Sequence, residues 1–217
     1  MPSADAALAA LRALRANDER GAHPWGGIYS ANSDLGTTLS ELQAAAFKEL
    51  GSSNALYPGV WPSVATMQAE LLAWCLRLLN GEGTPSCGLL TSGGTESILL
   101  SVLAHREEAR ARGIERPQII ASSTCHGAAH KAAFYFGLDL TIVEPDPATQ
   151  RLTRADVERA LTPRTCLVYT SAPSFPHGVV DDVRGIGALA RERGFGMHVD
   201  QASVLTSPMA FKDATYH

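Results

Sequence analysis

The segment Leu90-Thr91-Ser92-Gly93-Gly94-Thr95-Glu96-Ser97 joins an apolar stretch to a helical one, and its residue types suit an anion. Two adjacent glycines let a ligand approach the backbone, Thr95 and Ser97 bring hydroxyls, and the first helical turn brings N–H groups without an internal partner. It is neither a Walker loop, since no Gly-Lys-Ser/Thr follows, nor a GxGxxG fingerprint. A tight turn capped by Thr95 accounts for the same residues equally well. His198-Val199-Asp200 closes an apolar run, at the position where open α/β sheets bind ligands. A carboxylate there can ligate a metal, act as a general base or pair with a protonated heterocycle; a lone Asp is more simply the cap of the next segment. His126, in Cys125-His126-Gly127, sits where an imidazole can stack on a flat ligand. His130 and Lys131 read as solvated helix positions, and Cys125 as a small buried apolar group. The segment 171–178 is mostly turn chemistry, and His177 reads as a loop residue.

These residues need elements to position them. Residues 4–16 are rich in Ala and Leu with interspersed arginines, and Ser3 can cap the first turn of a helix. A second helix is expected from Thr38 or Ser40 to about Leu50, ended by Gly51. Pro62 suits the first turn of a long helix that Asn80-Gly81 stops. Val64, Met67, Leu71, Cys75, Leu76 and Leu79 in it fall near helical spacing, so one face is expected in the core. From residue 86 the rhythm changes. Strands are expected at 87–92, 117–122, 139–144, 165–170 and 195–200. The helices between them start near Thr95 and span 127–137, 153–161 and 181–194. Five short apolar runs alternating with helices predict an α/β fold with a mainly parallel sheet and helices on both faces.

Composition narrows the function. The 217 residues include 18 Lys+Arg and 22 Asp+Glu, with only three lysines and no basic block, which argues against a nucleic-acid partner. Mean hydropathy is −0.02, and no run has the length of a membrane span. Cys75, Cys87, Cys125 and Cys166 share no CxxC spacing, so neither a zinc ribbon nor a disulfide framework is expected. No metal site is read. A soluble, reducing, cytoplasmic setting follows from these features and from an N-terminus unlike a signal peptide.

The four loops follow four strands on one sheet edge. They offer a phosphate cradle, a stacking imidazole and a carboxylate for a ring nitrogen, which is the set that pyridoxal phosphate needs.

The stretches 87–102, 125–137, 171–183 and 198–202, with 52–72 upstream, resemble the group II pyridoxal-phosphate decarboxylases, and among them the sphingosine-1-phosphate lyases most closely. The resemblance covers roughly residues 20–202. It implies the large domain of a fold-type-I pyridoxal-phosphate-dependent transferase at 63–217, preceded by a helical and irregular N-terminal segment at 1–62. It also implies a small-molecule amine or amino-acid substrate and a homodimer in the full-length form. By the same resemblance, Gly93, Gly94 and Thr95 match the phosphate-binding turn, and His126 the residue stacked on the pyridine ring. Asp200 matches the carboxylate on the ring nitrogen, Ala202 the small residue on the other face, and His198 a neighbour of the catalytic groups. Tyr29 and Asn54 match positions that line the active site, and Tyr57 stands where the lyases carry a histidine.

Other departures are Ala129 for a Phe, His130 for an Asp or Asn, and Gln201 for a small residue. The family's Schiff-base lysine belongs a few tens of residues beyond Asp200. Lys48, Lys131 and Lys212 have no matching context, so the chain reads as C-terminally truncated, without the small domain and inactive as it stands. The implied activity of the complete protein is carbon–carbon cleavage of a phosphorylated amino alcohol with release of an aldehyde. The alternatives are amino-acid decarboxylation, a fragment or pseudoenzyme that binds the cofactor weakly at most, and, on the glycine turn alone, a nucleotide or phosphosugar module.

Overall fold

A computed structural model describes residues 3–15 and 36–201 of the chain. The chain divides into two compact units, Met1–Ala45 and Ala46–His217. The first carries α1 (Ala4–Arg15), whose first turn is capped as expected: the Ser3 hydroxyl accepts from the Ala6 N–H at 3.2 Å. Helix α2 (Gly36–Leu50) starts before the expected residue and is closed by the Gly51 N–H on the Phe47 carbonyl.

In the second unit, α3 (Pro62–Leu78) is followed by α4 (Gly94–Ala111), β1 (Gln118–Ser122), α5 (Gly127–Phe136) and β2 (Asp139–Val143). Then come α6 (Arg154–Ala160), β3 (Thr165–Ser171), α7 (Val183–Arg193) and β4 (Gly196–Asp200). The four strands form one parallel sheet in the order β2-β1-β3-β4. Glycines in the left-handed conformation end α5 at Gly137 and α7 at Gly194, which lets the chain turn directly into the next strand. Thr153 and Asp156 close a reciprocal capping box on α6.

Alternation along the strands sends side chains to two separate cores. On one face Ile119, Ala121, Leu167 and Tyr169 pack against Ile98 and Val102 of α4 and the alanines of α5. On the other, Ile120 and Val168 pack against Val157 of α6 and Ile186 and Leu189 of α7. The connection after β1 therefore uses one face, and the connection after β3 uses the other. The strand order reverses between β1 and β3, and the crevice beyond the carboxyl ends of such a pair is where α/β sheets take ligands.

Two expectations are corrected. Residues 87–92 form no strand, because no described strand edge pairs with them and Leu89 and Leu90 stay exposed. An apolar run becomes a strand only where a partner meets its backbone groups. Helix α3 has no buried residue; Val64, Leu72, Cys75 and Leu76 are half-covered while Met67, Leu71 and Leu79 are exposed. Helical periodicity marks an apolar face without saying what covers it.

Helix α4 runs antiparallel to β4, and three contacts fix their register. Arg112 at the C-cap of α4 donates to the Gly194 carbonyl just before β4, at 3.0 Å. One step on, His105 lies so close to Gly196 that a Cβ there would overlap its ring. Further along, His198 Nδ1 meets Ser101 Oγ at 3.1 Å. A side chain at residue 196 must push the imidazole or the helix aside. Gly196→Ala is therefore expected to destabilise the fold by about 1–3 kcal/mol, with most of the loss recovered when His105→Ala is added. Urea unfolding of the two single variants and the double variant measures this; strictly additive losses would show that the approach imposes no constraint.

Candidate functional site

The register of α4 on β4 places the start of the helix. From Ser101 back to Gly94 is seven residues, about 10 Å of helix, and from His198 on to Asp200 is two residues, about 7 Å of strand. The N-terminus of α4 therefore stands about 3–4 Å beyond the level of Asp200, at the carboxyl edge of the sheet. Helix α5 starts on the same face, directly after β1, and packs on α4. The glycine turn, His126 and Asp200 are thus brought to one rim by three elements.

At the glycine turn, Gly93 is the N-cap of α4 and no side chain caps the helix. Instead Glu96 accepts from the Ser92 N–H at 2.6 Å, and the Thr91 and Ser97 hydroxyls bond to each other at 2.7 Å. The Ser92 contact holds the Glu96 carboxyl below its ordinary range. These bonds stiffen the turn while leaving the first-turn N–H groups of Gly94 and Thr95 to a ligand. A Cβ added at Gly93 or Gly94 would meet no atom within 4 Å, so no protein packing demands glycine at either position. The space before the helix is open on the protein side.

His126 is the N-cap of α5, and its Nδ1 accepts from the Ala128 N–H at 3.1 Å. That bond places the proton of the neutral ring on Nε2 and fixes the ring's direction. The sequence reading missed the capping role, because histidine is not among the usual caps. The ring is exposed, and can present a face to a planar ligand.

Asp200 ends β4, where its carboxylate accepts a 2.5 Å hydrogen bond from the Tyr169 hydroxyl. Parallel pairing sets Tyr169 beside His198 and Ser171 beside Asp200, so Tyr169, His198 and Asp200 share one face. The Tyr169 and His198 rings stack at 5.1 Å between centroids. Burial and the Asp200 contact both push the Tyr169 phenol upward, so it stays protonated; the His126 backbone acts against them. Burial likewise pushes the Cys125 thiol up to about 11. Burial also holds His198 below its ordinary value of 6.5, against the opposing pull of Asp200.

Asp181 is a second carboxylate that the sequence did not single out. It is buried, accepts from the Leu152 N–H at 2.9 Å and the Ser171 N–H at 2.8 Å, and ties the loop after β3 to the start of α6. Its hydrogen-bond partners among the described residues are backbone N–H groups, which makes it a fastener of the rim. Asn54 and Tyr57 serve a local turn: Asn54 Oδ1 accepts from the Leu56 N–H at 2.9 Å, and the Tyr57 ring is tilted on Trp61. Tyr29 and Ala202 lie outside the described residues. Tyr169 and Ser101 were missed because only strand register and helix placement bring them to His198 and Asp200. A cleft of about 480 Å³ opens at the other edge of the sheet, lined by Arg112, Thr162, Arg193 and Phe195. Its arginines are engaged, Arg112 with the Gly194 carbonyl and Arg193 with Glu158.

A family profile described as the pyridoxal-dependent decarboxylase conserved domain matches residues 27–211. The chain belongs to that family. It is 40% identical over 176 residues to the sphingosine-1-phosphate lyase of Saccharomyces cerevisiae, covering 81% of this chain and 29% of the yeast protein. The solved structure of a Burkholderia pseudomallei sphingosine-1-phosphate lyase superposes with a TM-score of 0.82 at 33% identity, covering 92% of this chain and 47% of the other. A Lactobacillus brevis glutamate decarboxylase has a TM-score of 0.80 at 18% identity over 93% of this chain and 48% of its own, and so shares the fold. The chain thus spans less than a third of the yeast relative's length.

The fold is that of the fold-type-I enzymes, and the cofactor of the family is pyridoxal 5'-phosphate. The residues present fit it. Uncapped N–H groups face open space at a double glycine, a fixed imidazole stands nearby, and a carboxylate ends the adjoining strand.

The lowered His198 value has a measurable consequence. A base whose folded value is depressed leaves stability intact above the unfolded value, and stability is lost as the pH falls below 6.5. The imidazole 15N shifts of His198 are expected to remain those of the neutral ring below pH 6.5, and His198→Gln should flatten the acid-side loss of thermal stability. Titration of His198 near 6.5 would contradict the burial argument.

Proposed function

We propose that this chain supplies the cofactor-binding wall of a pyridoxal-phosphate-dependent carbon–carbon lyase that cleaves a phosphorylated amino alcohol and releases an aldehyde. The observation that carries this reading is the common rim of the α4 N-terminus, His126 and Asp200, set by the α4–β4 register. The substrate class follows the names of the relatives described above, which are sphingosine-1-phosphate lyases. Amino-acid decarboxylation is the second reading, favoured by the description of the family profile. The division into a segment at 1–62 and a large domain from 63, the homodimer, the cytoplasmic setting and the absence of a nucleic-acid partner belong to the same proposal. Among the described residues no helix is long and apolar enough to cross a membrane.

When bound, the cofactor supplies an electron sink for the bond broken beside the substrate's amine-bearing carbon. The chain's own residues bind and orient. The Gly93–Gly94–Thr95 turn holds a phosphate dianion by N–H donors at the positive end of an 18-residue helix, an arrangement that favours an anion. His126 would cover one face of the ring and exclude water from it; Ala202, outside the described residues, is assigned to the other face by the family resemblance alone. Asp200 holds a proton on the ring nitrogen, since a fixed anion favours the cationic heterocycle. His198, neutral and packed on Tyr169, keeps the wall beside Asp200 rigid without adding charge. Tyr29, Asn54 and Tyr57 are assigned to the substrate side. Lys48 and Lys131 stand on exposed helix positions and are not assigned the amine that would carry the cofactor covalently; Lys212 lies outside the described residues.

Gly94→Val tests the cradle. A Cβ at this position meets no protein atom within 4 Å, so folding should be little affected, while the phosphate's approach is blocked. The affinity for pyridoxamine 5'-phosphate, measured calorimetrically, is expected to fall about tenfold or more with the melting temperature little changed. Unchanged affinity would remove the phosphate from this turn. Release of an aldehyde rather than carbon dioxide by the complete protein, given a phosphorylated amino alcohol, decides between the two reactions.

A further inference from the structure

We propose that Tyr169 is a positioning residue: its hydroxyl fixes the Asp200 carboxylate so that a protonated ring nitrogen is met by an anion of set orientation. This rests on the cofactor reading given above and extends it to a residue that touches neither cofactor nor substrate. Tyr169 is 1% exposed, and its ring is held on both sides, by the core under α4 and α5 and by the stacked His198 ring. His198 is in turn held to α4 through Ser101. The phenol therefore cannot swing, and its 2.5 Å bond pins a carboxylate at the very end of a strand. A donor fixed in the core narrows the rotamers open to a strand-terminal Asp, and orientation lost there weakens any directional hydrogen bond.

The surroundings suit that task. Among the described residues, the ionisable groups next to the pair include His198 and the Cys125 thiol, which with the phenol itself are held in their uncharged forms; the Asp181 carboxylate stands further back, where its charge reaches Cys125. The His126 backbone also bears on the same hydroxyl, so the residue read as stacking on the ring and the residue read as pairing with its nitrogen both stand near Tyr169. A donor to the carboxylate also lowers its basicity, which keeps a shared proton on the ring nitrogen.

The test compares two probes on the 217-residue chain: pyridoxamine 5'-phosphate, and its analogue with C–H in place of the ring nitrogen. Tyr169→Phe keeps the ring stack and removes the hydroxyl. It is expected to weaken pyridoxamine phosphate about tenfold and the carbocyclic analogue less than about twofold. The 15N resonance of the labelled ring nitrogen should then lose its proton at lower pH than in the wild type. Equal weakening of both probes, or of neither, would overturn the proposal, since a merely structural tyrosine does not distinguish nitrogen from carbon. Asp200→Ala separates the levels. If it binds both probes as the wild type does, the cofactor reading itself fails and Tyr169 falls with it. If it loses selectivity and Tyr169→Phe does not, only the positioning role fails. Should Tyr169→Phe fold poorly, 3-fluorotyrosine at position 169 keeps both ring and donor and is expected to retain the selectivity; loss of selectivity with fluorotyrosine would also overturn the role.

Discussion

The close approach of α4 to β4 governs the site. Gly196 exists as glycine because His105 occupies the space of a side chain, and this contact, with Arg112 on Gly194 and Ser101 on His198, sets the helix against the strand like a graduated scale. Sliding the helix by one turn would move its N-terminal donors about 5 Å relative to Asp200. An anion held by those donors and a heterocycle held by that carboxylate belong to one molecule only if the spacing is right. The register is therefore the quantity on which a cofactor site depends, and it is fixed by packing some distance from the site itself.

Electrostatics follow from the same packing. The groups behind Asp200 are a phenol, an imidazole and a thiol, and burial drives all three towards their neutral forms. They contribute shape and hydrogen bonds and add no charge of their own beside the carboxylate. At the opposite end of the site the helix supplies partial positive charge from backbone groups, with no lysine or arginine in the turn. A ligand that is anionic at one end and cationic at the other is thereby oriented along the rim.

Much of this was legible in the sequence because local signals agreed. Strands β1 to β4 and helices α4 to α7 fall within a residue or two of the apolar runs and helical periods, with Gly137, Gly194 and the Thr153 cap as punctuation. What escaped depends on partners distant in the chain. Residues 87–92 are apolar enough for a strand but meet no described edge, and the apolar face of α3 has no described cover. Tyr169 reads as a strand residue until register brings it to Asp200, 31 positions later. Ser101 reads as a helix serine until α4 is laid on β4. His126 was singled out for a ligand, and it also caps its own helix.

The central claim is that one rim, at the carboxyl edge of the sheet, takes the cofactor. Titrating pyridoxamine 5'-phosphate into the 15N-labelled chain and following backbone amide shifts tests it most directly. The account predicts saturable changes gathered at Gly93, Gly94, Thr95, His126, Ala128 and Asp200. Changes gathered instead at Arg112, Arg193 and Gly194, around the cleft at the other edge of the sheet, or changes that never saturate, would contradict it.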